Sequence, residues 1–163
     1  MRSLTLLTLA LSLKLLVFGC GGDSNKSGSV GEHVHVAPHG GQLVEVGEHG
    51  SGYNLELVLH PDGFLQIYVL DAHAENFVRI PAPSIEIEIP VEGNASRTLL
   101  CEPVADTATG ETVGNTSLFT STERISDLLP LQAVIPQLQL LEFVYENVPI
   151  EFSGKSGHAD HEH

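Results

Sequence analysis

The segment SIEIEIPVEG, residues 84–93, most narrows what this chain can fold into. Ile85, Ile87 and Ile89 alternate with Glu86 and Glu88, a period of two. In an extended chain the apolar set points one way and the carboxylates the other, which makes a strand with one dry and one wet face. Ile87 is therefore expected in the core and Glu88 in water. Pro90 cannot donate to a ladder, so it ends this one or marks an edge.

The same period recurs along the chain. QLVEVG (42–47), YNLELVLH (53–60) and FLQIYVLD (64–71) alternate, and the turn chemistry of PDG (61–63) joins the last two as a hairpin. SRTLLCEPV (96–104) is a further strand, in which Cys101 reads as a small apolar side chain packed inward. A loop rich in Asp, Thr and Gly follows over 106–115. In TERISDLL (122–129), Ser121 or Thr122 can cap a short helix with Ile125, Leu128 and Leu129 at helical spacing. QAVIPQLQLLEFVYENVPIEFSG (132–154) supplies the last one or two strands, with YEN (145–147) as the turn. The expected fold is all-β, a single β-sandwich or open barrel of about seven short strands with one short helix near 122–129.

Upstream of the strands, the chain reads as exported. Arg2 precedes an apolar run from Leu4 to Phe18, about 15 residues against the roughly 20 that a spanning helix needs. Cys20 follows directly after LVFG. This arrangement resembles the lipobox of bacterial lipoproteins, although Phe18 is bulky and Lys14 interrupts the run. The resemblance implies that residues 1–19 are a lipoprotein signal peptide and that Cys20 carries the lipid. Residues 20–32 are a Gly- and Ser-rich tether, 33–153 the β domain, and 154–163 a His-rich tail. Gly21, where Asp would signal inner-membrane retention, implies an outer-membrane position facing the periplasm or exterior if the host has one.

Charge excludes several partners. The formal net charge is −14, and without Arg2 and Lys14 it is −16, five basic against 21 acidic residues. Nucleic acid and anionic lipid surfaces both need a basic footprint, which is missing. Cation attraction is favoured instead. With Cys20 acylated, Cys101 has no cysteine partner for an intrachain disulfide.

Nine histidines then stand out. In HVHV (33–36), strand geometry would put His33 and His35 on one face, and His39 follows before the Gly40–Gly41 pair. In DAHAE (71–75), continued strand geometry would align Asp71, His73 and Glu75. The tail HADHEH offers His158, His161 and His163 with Asp160 and Glu162. Imidazole suits zinc, copper and nickel, and only its neutral form binds, so affinity should fade below about pH 6. His49 and His60 sit beside turns and read as structural or solvated.

The segments HVAPHGGQLVEVGEHGSGYNLELVLHPDGFLQIYVLDAHAENFVRI and SLFTSTERISDLL, with the His-rich end, resemble a group of small, uncharacterised bacterial lipoproteins. HGG is also faintly similar to His-rich segments of the periplasmic adaptor proteins of heavy-metal efflux pumps. The reading that follows is a non-catalytic, membrane-tethered envelope lipoprotein that binds zinc, copper or nickel, buffering the metal or delivering it to an efflux or other envelope protein. The alternative is a structural or protein-interaction lipoprotein with solvated histidines. Catalytic signatures are lacking: no Gly-x-Ser-x-Gly elbow occurs, and Pro149 replaces the first glycine of a phosphate loop before Gly154–Lys155–Ser156.

Overall fold

Alternating apolar and polar residues become strands in the computed structural model, which describes residues 35–155 apart from residue 94. The strands are β1 (Gln42–Val46), β2 (Tyr53–Leu59), β3 (Phe64–Leu70), β4 (Ile85–Val91), β5 (Ala95–Pro103), β6 (Leu118–Arg124), β7 (Leu131–Leu140) and β8 (Phe143–Phe152). They form one antiparallel sheet in the order β1-β2-β3-β6-β5-β4-β7-β8. β4, β5 and β6 pair in succession, and the long connection over residues 71–84 leaves β3 beside β6, a Greek-key arrangement. The sheet curls into a nearly closed barrel in which β1 and β8 approach each other. Gln42 spans that seam: its Nε2 donates to the Glu151 carbonyl and its Oε1 accepts from the Ser153 N–H.

β4 carries the expected face pattern, with Ile85, Ile87 and Ile89 buried and Glu86 and Glu88 exposed. They join Leu55, Leu57, Ile67, Phe119 and Ile150 in one core inside the barrel. Cys101 lies in the same core, and burial pushes its thiol up to about 12, so it packs and does not react.

Two local readings need correction. The last segment supplies two strands as a full hairpin, which brings the strands among the described residues to eight. Its turn falls at Leu141 and Glu142, between the paired Leu140 and Phe143, and not at YEN. Asn147 does take a positive φ of 55°, but it does so within β8, beside the stretch where Pro136 interrupts the ladder. The helix near 122–129 shrinks to a single 3-10 turn, Ser126–Leu128. β6 runs on through Arg124, and the bias of a residue before proline leaves Leu129 extended at ψ 142°. Ser121 caps no helix. Its hydroxyl accepts the Leu65 N–H at 2.9 Å where the β3–β6 register shifts, and donates to the Glu123 carbonyl at 2.7 Å. Ile125 is buried and Leu128 and Leu129 pack against the core, so the spacing reported inward-facing residues correctly while misnaming their backbone.

Candidate metal centre

On β2, Leu55 and Leu57 enter the core, so Asn54 and Glu56 face outward. Both are nevertheless buried, at 2% and 0% exposure, because two irregular segments lie over them. A buried polar group needs partners, and here the covering segments supply them. Residues 35–41 cover Glu56: its Oε1 accepts the N–H groups of His39 and Gly41 at 2.7 and 2.9 Å, and its Oε2 accepts His39 Nδ1–H at 2.9 Å. The approach demands glycine at 41, where a Cβ would stand 2.5 Å from the Leu57 carbonyl oxygen. His39 also stacks on Tyr68, ring centroids 3.9 Å apart. Burial, and then the charge of Glu56, push the Tyr68 hydroxyl pKa up.

The turn over residues 71–76 covers Asn54, whose Nδ2 donates to the Asp71 and Ala72 carbonyls at 3.0 and 3.1 Å. Strand geometry does not continue here, so Asp71, His73 and Glu75 do not align as ligands. β3 ends at Leu70, and the Asp71 carboxylate turns inward on its own loop. Its Oδ1 accepts the His73 and Glu75 N–H groups, and its Oδ2 accepts Asn76 Nδ2–H at 2.6 Å. Partial burial works against the charge, but these hydrogen bonds outweigh it and hold the Asp71 pKa below its ordinary value.

His35, at the start of the first segment, meets the second. It is not in a strand, and His33, its expected i, i+2 partner, lies outside the described residues. Its Nδ1 lies 3.0 Å from the His73 carbonyl. A carbonyl can only accept, so Nδ1 carries the proton, and in the neutral imidazole Nε2 then bears the lone pair. That Nε2 is buried and has no hydrogen-bond partner. His49 and Glu45 are neighbours of the ring: the His35 and His49 centroids stand 5.5 Å apart, and Glu45 Oε1 accepts from His49 Nδ1 at 2.9 Å. One ligand atom from each of His35, Glu45 and His49 lies within 4.8 Å of the others. Two ligands 2.0–2.1 Å from one ion stand at most about 4 Å apart. Closing that gap would take rotation of the exposed Glu45 and His49 side chains.

Of the described residues singled out from sequence, only His35 joins this cluster. His39 is drawn away to Glu56. His73 contributes its backbone carbonyl, with its ring 5.9 Å from that of His35, and Glu75 contributes an N–H to Asp71. Cys20, His33, His158, His161 and His163 lie outside the described residues. Sequence reasoning passed over Glu45 and set His49 aside as a turn residue. The available signal was their spacing of four across a strand end, where Gly47 and Gly50 take positive φ and return the chain. No family model matches the chain, and neither a curated protein nor a solved structure matches it significantly.

Proposed function

We propose that this chain is a membrane-tethered envelope lipoprotein whose barrel domain holds a divalent transition metal at His35, Glu45 and His49, either buffering it or passing it to an export system. The observation that carries this reading is the buried, partnerless Nε2 of His35. Such an atom costs about 1–3 kcal/mol when unmet, and one ring nitrogen of His35 lies within 4.8 Å of an imidazole nitrogen and a carboxylate oxygen. Two imidazoles and a carboxylate suit zinc, Cu(II) or nickel. Cuprous ion is disfavoured, because Met1 is the only methionine and Cys101 is buried as a thiol. His33 and the tail residues His158, His161 and His163 are further ligands that could supplement the set. Anchoring through Cys20 rests on the lipobox-like sequence around it. An acyl mass on the mature N-terminal peptide would support it, and its absence would remove it.

Equilibrium dialysis of untagged protein against zinc, copper and nickel tests the metal reading. About one ion per chain is expected. No binding would favour the interaction reading instead, for which the specific observation is the apolar β7–β8 end. Leu141, Phe143 and Val144 are exposed there, and Phe143 stands beside the rings of Tyr53 and Tyr145.

A further inference from the structure

Asn54 and Glu56 occupy alternate outward positions of β2, and each grips one of the two segments that meet at His35. Glu56 holds residues 39–41, a few residues along the chain from His35. Asn54 holds the carbonyls of Asp71 and Ala72, next to the His73 carbonyl that receives His35 Nδ1–H. We infer that Asn54 and Glu56 are positioning residues for the metal centre: together they fix the distance between the two segments, and so the tautomer and aim of His35. This rests on the metal reading above.

The physical reasoning is local. His35 reaches its carbonyl partner across 38 residues of chain, so nothing in its own segment holds the pair together. Each segment is irregular and needs an anchor on the sheet. The strand interior is rigid and supplies one to each, at positions two residues apart that share a face. Nδ1–H bonding to a backbone carbonyl is the usual way a ligating imidazole is oriented, and loss of such support costs about 10–100-fold in metal affinity. Asn54 also lines the same small surface pocket as Glu45 and His49, and its Oδ1 is the other partnerless buried polar side-chain atom among the described residues. Asn54 pairs with Glu45 across β1 and β2, which keeps the mount and the ligand carboxylate on one face.

The variants separate positioning from bulk. Glu56→Ala removes both acceptor oxygens. Glu56→Gln keeps the carbonyl oxygen that takes the His39 and Gly41 N–H groups, and its amide can donate to His39 Nδ1 in the other tautomer. Asn54→Leu keeps volume and loses both donors. Zinc affinity is measured by chelator competition on the full chain, with circular dichroism confirming the fold. Glu56→Ala and Asn54→Leu should each weaken zinc binding at least about tenfold, and Glu56→Gln should restore it to within a few-fold of wild type. Long-range proton–nitrogen spectra of the metal-free wild-type chain should show His35 protonated at Nδ1. Wild type that binds no zinc overturns the metal reading and this inference with it. Wild type that binds zinc as tightly as folded Glu56→Ala and Asn54→Leu overturns the inference alone. Should Glu56→Ala lose its fold, the tautomer decides, and a proton on His35 Nε2 overturns the inference.

Discussion

Two of the three histidine–carboxylate pairs among the described residues differ in what they leave unmet. At His39 and Glu56 the carboxylate is fully buried, both its oxygens accept N–H groups, and the imidazole is stacked on Tyr68. At His49 and Glu45 both side chains are exposed, and the neighbouring His35 carries a buried, partnerless nitrogen. Close contact between imidazole and carboxylate is common to both, so proximity does not distinguish a ligand from a fastening. What distinguishes them is the unmet lone pair. The His39 pair ties a segment to the sheet, and the His35 group is where an ion would gain most.

The core beneath both corners sets the upper scale. Ile87→Ala should cost about 2–5 kcal/mol of unfolding free energy in urea, against at most about 0.5 kcal/mol for the exposed Glu88→Ala. Equal losses would mean that β4 is not half-buried and that neither corner has a firm floor. Next in size, His35→Ala should weaken zinc binding roughly 100-fold, about 2.7 kcal/mol, with little change in the stability of the metal-free chain. Titration calorimetry reads the first and a urea melt the second. That loss should also exceed the effect of deleting residues 158–163.

His39→Ala should invert the pattern. It removes one hydrogen bond to a buried carboxylate and an aromatic stack, so the metal-free chain should lose about 1–2 kcal/mol. Zinc affinity should stay within a few-fold, because the His39 and Gly41 backbone donors still hold Glu56. A large affinity loss with unchanged stability would make His39 a ligand and erase the contrast.

Alternation of apolar and polar residues made the strands legible, and β4 most plainly, because each isoleucine has to choose a face. It left sandwich and barrel undecided, since a period of two says which face is dry and not where a sheet closes. That closure depends on contacts such as Gln42 with Glu151 and Ser153, more than 100 residues apart. The site residues were hard to group for a related reason. Strand geometry was assumed at His35, which lies outside any strand, the first described one beginning at Gln42. Asp71 was lost as a ligand because its short side chain bonds its own turn. Glu45 and His49 come together through a glycine-bearing turn, and His35 through a carbonyl far along the chain, so no local period could join them.

The smallest effect concerns that turn. The Asp71 carboxyl is held below its ordinary 3.8, so its charged form contributes stability above that pH, and the contribution is lost as pH falls through the lower folded value. Wild type should exceed Asp71→Asn by about 0.5–1 kcal/mol near neutrality, with the gap closing below about pH 4 in paired urea melts. A gap that widens in acid would reverse the sign and free Asp71 from its turn.

The contrast between the corners is tested most directly by titrating zinc into the nitrogen-15-labelled full chain and following each imidazole. His35 Nε2 and a ring nitrogen of His49 should shift together and saturate near one equivalent, while the His39 resonances stay in place. Shifts at His39 with none at His35, or saturation confined to the tail histidines, would contradict the assignment of the metal to His35, Glu45 and His49.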